Sequence, residues 1–256
     1  MTENNELVLY KLDGPVACLT LNRPEKKNAL SEGLIAALKD NLKRASRDEG
    51  VRVVMINGAG SDFCSGADLS ALQKIADSSI ADNAADARSL MELFTMIRDL
   101  DVPVVAAVHG RALAGGCGLA SACDIVLAST SARFGYPEVK IGFVPAMVAA
   151  ILRRNVSEKR AFELLTLGRE ITSNEAMSLG LVNRVFPDES FDSDTTSYLS
   201  EFQNVSRSAV ALTKKLLYQM DGLAFRDALE AGADVNVIAR MTADCQKGIA
   251  RFLKRV

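Results

Sequence analysis

The chain has 256 residues, 48% of them hydrophobic and 24% charged, with 17 Gly, 6 Pro, 5 Cys, one His and no Trp. This composition is that of a globular protein and excludes disordered, collagen-like and disulfide-scaffold classes. With 32 acidic and 30 basic residues the net charge is −2, which offers no basic footprint for nucleic acid and no polybasic anchor for a membrane.

Residues 7–12 and 16–21 are alternating or β-branched runs separated by Asp13-Gly14-Pro15, the pattern of a hairpin. After NRPEKKNAL, apolar residues at Leu34, Ile35, Leu38, Leu42 and Ala45 predict an amphipathic helix, with Ser31 as N-cap and Leu30 stapled to Ile35. A strand VVMING (53–58), a loop SDFCSGADLS (61–70) and a helix striped by Leu90, Leu93, Phe94, Ile97 and Leu100 follow. A third strand, PVVAAV, leads through GRALAGG to a helix near 116–122, and a fourth strand is DIVLAS. Strands alternating with helices predict an α/β fold, and near-continuous apolar strands predict a largely parallel sheet covered on both faces.

Beyond residue 158 the chain reads as mostly helical, with Gly168 and Gly180 as helix-ending positions, a Thr172–Glu175 capping box and a short strand LVNRVF (181–186). The acidic, Ser-rich stretch 187–197 is the expected boundary between a core, 1–190, and a region of three helices, 191–256.

The uncharged stretches 112–123 and 141–152 are the longest in the chain, and each is well short of the roughly 20 residues that span a bilayer. The first residues, MTENNELVLYKL, lack the features of a secretory signal or transit peptide. A cytoplasmic protein is the expectation. Cys18, Cys64, Cys117, Cys123 and Cys245 contain no C-x-x-C pair and read as small buried thiols, with no metal site expected. The lone His109 cannot support a multi-imidazole metal site, and a serine triad would have to rest on it alone. Carboxylates are therefore the expected acid and base.

Ligands of open α/β sheets usually sit beyond the carboxyl ends of the strands. There the chain carries SDFCSGADLS and HGRALAGGCGLASACD (109–124), each placing Gly beside small residues just ahead of a helix. Backbone amides in such places can receive an anion or a developing oxyanion. Neither loop matches a dinucleotide or P-loop fingerprint. In RFGYPEVKIGFVP (133–145), Glu138 follows Pro137 among apolar neighbours able to desolvate a carboxylate.

In series, NRPEKKNAL, FCSGADL, HGRALAGGCGLASACD, ARFGYPEVKIGFVP, EAMSLGLVNRV and CQKGIARFLKR resemble the crotonase, or enoyl-CoA hydratase/isomerase, superfamily from residue 7 to 255. The resemblance implies a crotonase-like (ββα) spiral core with C-terminal helices for assembly as a homotrimer or dimer of trimers. It implies an acyl-CoA substrate, coenzyme A being part of the substrate and no separate cofactor. It assigns the backbone N–H groups of Ser65 and Gly115 to the thioester oxygen and Glu138 to acid–base catalysis. Coenzyme A contacts would fall on Lys26, Ala29, Ala67, Asp68, Leu69 and Gly116, with Lys254 and Arg255 contributing.

One position departs from the family pattern. Hydratases of the fatty-acid type carry a second glutamate where this chain has Gly118, and bacterial methylglutaconyl-CoA hydratases, similar in this region, also tend to lack it. Hydration of a 2-enoyl-CoA, isomerisation of a 3-enoyl-CoA by a single base, and acyl-CoA binding without catalysis are all compatible with that pattern.

Overall fold

The computed structural model describes residues 6–68 and 78–254. Strands β1 (Val8–Asp13) and β2 (Val16–Leu21) form the expected antiparallel hairpin, turning at Gly14 with φ +54°. Four more strands add in parallel: β3 (Val53–Gly58), β4 (Val104–Val108), β6 (Ile125–Ser129) and β9 (Arg184–Phe186), in the order β1-β2-β3-β4-β6-β9. Every residue of β4 is buried, which explains its unbroken apolar sequence.

Helix α1 (Glu32–Arg47) packs its predicted stripe inward, and its Leu34 amide donates to the Ser31 hydroxyl at 3.3 Å. Helix α2 (Ile80–Asp99) starts in a capping box between Ser79 and Asp82 and buries Leu93, Phe94 and Ile97. Each fully buried Leu, Ile or Phe contributes roughly 1.5–3 kcal/mol relative to exposure. The other face of the sheet has its own cluster, in which Val16, Val53, Val105 and Leu127 meet Leu199 of α7 (Phe191–Ser200).

A second sheet lies within segments read from sequence as loops. It joins β5 (Arg111–Leu113), β7 (Arg133–Gly135) and β8 (Glu170–Thr172) in the order β5-β7-β8. Strand β5 runs into α3 (Gly115–Ala122), and β7 runs into the 3-10 turn Pro137–Ile141. Because β5 and β7 are parallel neighbours, the start of α3 and Glu138 leave the sheet on the same side.

Helices α4 (Ala146–Asn155), α5 (Glu158–Leu167) and α6 (Ser173–Ser178) complete the body. The Thr172–Glu175 capping box is formed at α6, and Gly168 and Gly180 both take positive φ. Three helices follow α7: α8 (Arg207–Gln219), α9 (Phe225–Met241) and α10 (Ala243–Leu253). Lys214 anchors α8. Its ammonium donates to the carbonyls of Ile97 and Val102 at 2.7 and 3.0 Å and pairs with Asp124 at 2.8 Å. No described helix is long and apolar enough to cross a membrane.

Candidate active site

The turn after β2 is laced to the loop after β3. Lys27 and Asn28 both take left-handed backbone angles, φ +50° and +54°, a conformation Asn tolerates better than most residues. The fully buried Asn28 side chain accepts from the Arg23 amide at 2.9 Å and donates to the carbonyls of Ala59 and Asp62 at 2.8 and 2.7 Å. Arg23 donates to the Ala29 carbonyl at 2.7 Å and pairs with Asp68 at 2.7 Å, the two side chains being only 15% and 8% exposed. The Leu30 amide donates to the Gly66 carbonyl and the Asp68 amide to the Leu30 carbonyl. Ala29, Ala67 and Asp68 thus come together. Lys26 is exposed on the adjoining turn, Lys254 is exposed just beyond α10, and Leu69 and Arg255 lie outside the described residues.

The loop after β3 also lies against the start of α3. Cys64 donates to the Arg111 carbonyl and accepts from the Leu113 amide, at 3.0 and 2.9 Å. The approach is closest at two glycines. A Cβ at Gly116 would overlap the Cys64 carbonyl oxygen and lie 2.7 Å from its Sγ, and one at Gly66 would lie 2.7 Å from the Ala114 Cβ. Only a residue without a side chain fits either place.

Ala114, at φ +50°, turns the chain so that its own amide meets the Gly135 carbonyl at 2.8 Å and Gly115 becomes the first residue of α3. The Gly115 amide therefore has no acceptor within the helix and lies at its positive end. Ser65 differs: its N–H donates to the Lys27 carbonyl at 3.0 Å. The structure thus brings the two predicted amide-bearing loops together, with one amide at a helix start and the other held by the Lys27–Asn28 turn.

Glu138 sits in the 3-10 turn that Gly142 closes in the left-handed region. It is half-buried, and its Oε2 is fully buried without a hydrogen-bond partner. Burial pushes the carboxyl above its ordinary range, partly opposed by its own backbone amide. Two residues before it, the buried Tyr136 hydroxyl shares a 3.0 Å hydrogen bond with Ser121 of α3. Glu138 thus follows β7 on the side of the sheet from which α3 follows its parallel neighbour β5. A desolvated carboxyl with an open oxygen is equipped to take a proton and return it.

Gly118, the position where a second carboxylate was missing, is not a vacancy. A Cβ there would overlap Val148 Cγ1 and come within 3.2 Å of Phe94 Cζ, so α2 and α4 close the space with apolar groups. His109 bonds the Gly60 carbonyl at 2.9 Å on the exposed side of the same loop. Burial pushes the thiol of Cys64 up to about 12 and that of Cys117 up to about 11, leaving both as thiols at neutral pH. No group of three or more His, Cys, Asp or Glu able to hold a metal ion occurs among the described residues.

Sequence reasoning missed the bracket formed by Arg23 and Asn28. Its signal was local, an Asn within a polar turn that needs left-handed geometry, but its partners lie far along the chain. A cavity of about 400 Å³ under α8, lined in part by Pro103, Asp124, Val205 and Leu217, includes none of Asn28, Cys64, Ser65, Gly66, Gly115, Gly116 or Glu138.

A sequence model described as enoyl-CoA hydratase/isomerase matches residues 12–256. The chain is 40% identical over 242 residues to a Thermus thermophilus protein provisionally named an enoyl-CoA hydratase, covering 94% of this chain and 96% of that one. It is 33% identical to the Escherichia coli 2,3-dehydroadipyl-CoA hydratase, covering 94% and 92% of the two chains. Among solved structures, an enoyl-CoA hydratase from Mycobacterium smegmatis superimposes with a TM-score of 0.92 at 33% identity, over 97% of this chain and 96% of the other.

Proposed function

The chain belongs to the enoyl-CoA hydratase/isomerase family, and from that premise we propose that it hydrates a 2-enoyl-CoA thioester with Glu138 as its single acid and base. The observation that carries this reading is the buried, unpartnered Oε2 of Glu138, in the turn that follows β7 as α3 follows the parallel strand β5. The thioester oxygen accepts from the Gly115 amide and from the Ser65 amide, which it shares with the Lys27 carbonyl. One such donor is worth roughly 2.7–4 kcal/mol to a transition state.

Glu138 takes a proton from water as the oxygen forms its bond to C3 and the C2–C3 π electrons move into the thioester as an enolate. The same carboxyl then delivers that proton to C2, so that one water has been added and the base is restored. Coenzyme A lies along Lys26, Ala29, Ala67, Leu69 and Gly116. Asp68 contributes through its backbone, because its carboxylate is engaged by Arg23.

A second reading, isomerisation of a 3-enoyl-CoA by the same carboxyl, is favoured by the apolar closure at Gly118, which leaves no second acid to position water. Purified protein given crotonyl-CoA, methylglutaconyl-CoA and a 3-enoyl-CoA separates the readings. Turnover of only the last contradicts hydration, and tight acyl-CoA binding with no turnover makes the chain a binding protein.

Assembly as a homotrimer or dimer of trimers belongs to the same proposal. Phe225 and Met241 of α9 are 81% and 79% exposed, and with Leu229 and Val237 they form an apolar face that a second copy would cover. Sedimentation of the purified chain checks it.

A further inference from the structure

We propose that Asn28 is a positioning residue for the oxyanion site, fixing the Ser65 amide through the Lys27 carbonyl. The inference rests on the reading of Ser65 and Gly115 as the donors to the thioester oxygen. The Ser65 N–H is held by a carbonyl of another loop. What holds that N–H is the Lys27 carbonyl at 3.0 Å, part of the peptide joining Lys27 to Asn28, and the direction of that peptide is fixed by left-handed angles on both sides of it, φ +50° at Lys27 and +54° at Asn28.

Asn28 holds this turn in place by every hydrogen bond its side chain makes. Its Oδ1 takes the Arg23 amide, and its two Nδ2 hydrogens go to the carbonyls of Ala59 and Asp62, so all three bonds run to backbone on two different loops. The group is fully buried and cannot exchange these partners for water. A Cβ at Gly58 would lie 2.7 Å from its Nδ2, which shows how closely the two loops are drawn around it.

On the far side, Cys64 is held by the Arg111 carbonyl and Leu113 amide and touches Gly116. The Ser65 amide is thus suspended between a bracket built by Asn28 and the start of α3, and its separation from the Gly115 amide depends on both. Asparagine meets two requirements at once here: it tolerates the left-handed region, and it offers two donors to two carbonyls. Aspartate keeps the shape but turns a carboxylate toward both carbonyls, and glycine keeps the backbone but removes all three bonds.

The test uses the full-length protein and its N28D and N28G variants. Hydration of crotonyl-CoA gives kcat and KM. Ultraviolet absorbance of the enolate of bound acetoacetyl-CoA reports polarisation by the oxyanion site, and butyryl-CoA affinity reports ground-state binding. Both variants are expected to lose tenfold or more in kcat, short of the roughly 10²–10³ of losing a donor outright. They are also expected to lose most of the enolate absorbance, with KM and butyryl-CoA affinity held within about threefold, since ground-state binding does not depend on the displaced donor.

If N28D does not fold, N28G, which retains the backbone preference, carries the test. A folded variant with near-native kcat and enolate absorbance overturns the proposal, as does a fall in kcat accompanied by an equal rise in KM and loss of butyryl-CoA affinity, which marks a merely structural role. The acetoacetyl-CoA signal needs no turnover. A wild type that polarises it without hydrating crotonyl-CoA or methylglutaconyl-CoA contradicts the hydratase reading alone.

Discussion

Val148 occupies the place that a side chain at Gly118 would take, with Phe94 closing the same space from α2. Both apolar residues are at most 5% exposed, so restoring a carboxylate at 118 requires room that the fold does not have. Gly118→Glu is expected to destabilise the protein by about 1–3 kcal/mol or more through overpacking, seen as a lowered urea midpoint. Pairing it with Val148→Ala should recover part of that loss. Equal midpoints for the single variant and the wild type would show that the space is open.

The raised pKa of Glu138 predicts a pH profile. The base must be ionised to take a proton from water, so kcat/KM should fall as pH drops through a value above the ordinary 4.5. Stability moves the other way. The folded state binds the Glu138 proton more tightly than the unfolded state, so this group's favourable contribution is present below the unfolded pKa and is lost as pH rises through the folded one. Glu138→Gln should therefore be more stable than the wild type at neutral pH, with the advantage fading below the ordinary carboxyl range. Urea titrations of both proteins across pH 4 to 8 check the sign.

Lys214 is the main tether of α8. Its ammonium meets Asp124 and two backbone carbonyls with 5% exposure, and burial lowers its pKa while Asp124 raises it. The second oxygen of Asp124 takes the Tyr218 hydroxyl at 2.6 Å. Lys214→Met leaves the part-buried Asp124 without its cation and should cost up to about 3–5 kcal/mol, read from denaturant unfolding. Lys214→Met with Asp124→Asn should cost less than the single change.

Thiol reactivity tests the burial of the glycine loops. Cys64, Cys117 and Cys123 are buried, whereas Cys18 and Cys245 are partly exposed. A disulfide reagent at pH 8 should label Cys18 and Cys245 first and reach the other three only on unfolding. Rapid labelling of Cys64 in the folded protein would contradict the close contact between Cys64 and Gly116.

The parts of this structure that were legible in the sequence are those whose physics is local. The buried run of β4, the α1 stripe with its Ser31 cap and the Thr172–Glu175 capping box each show themselves within a few residues. The glycine loops and Glu138 could be picked out because small residues before helices, and an acid among apolar neighbours, carry chemical meaning by themselves. The three-residue strands β5, β7 and β8 are too short to display a period. Long-range partnerships were equally hidden. Arg23 meets Asp68 across 45 positions, Asn28 meets Asp62 across 34, and no local pattern at Gly118 announces that Val148 fills its space.

The central claim is that one carboxyl, Glu138, performs both proton transfers. The most direct measurement is crotonyl-CoA hydration by Glu138→Gln alongside the wild type, with butyryl-CoA affinity measured on both. The expected result is a loss of about 10²–10⁴ in kcat with affinity preserved within roughly threefold, since the amide keeps the shape and removes only the proton exchange. A Glu138→Gln protein that hydrates at near-native rates would contradict it.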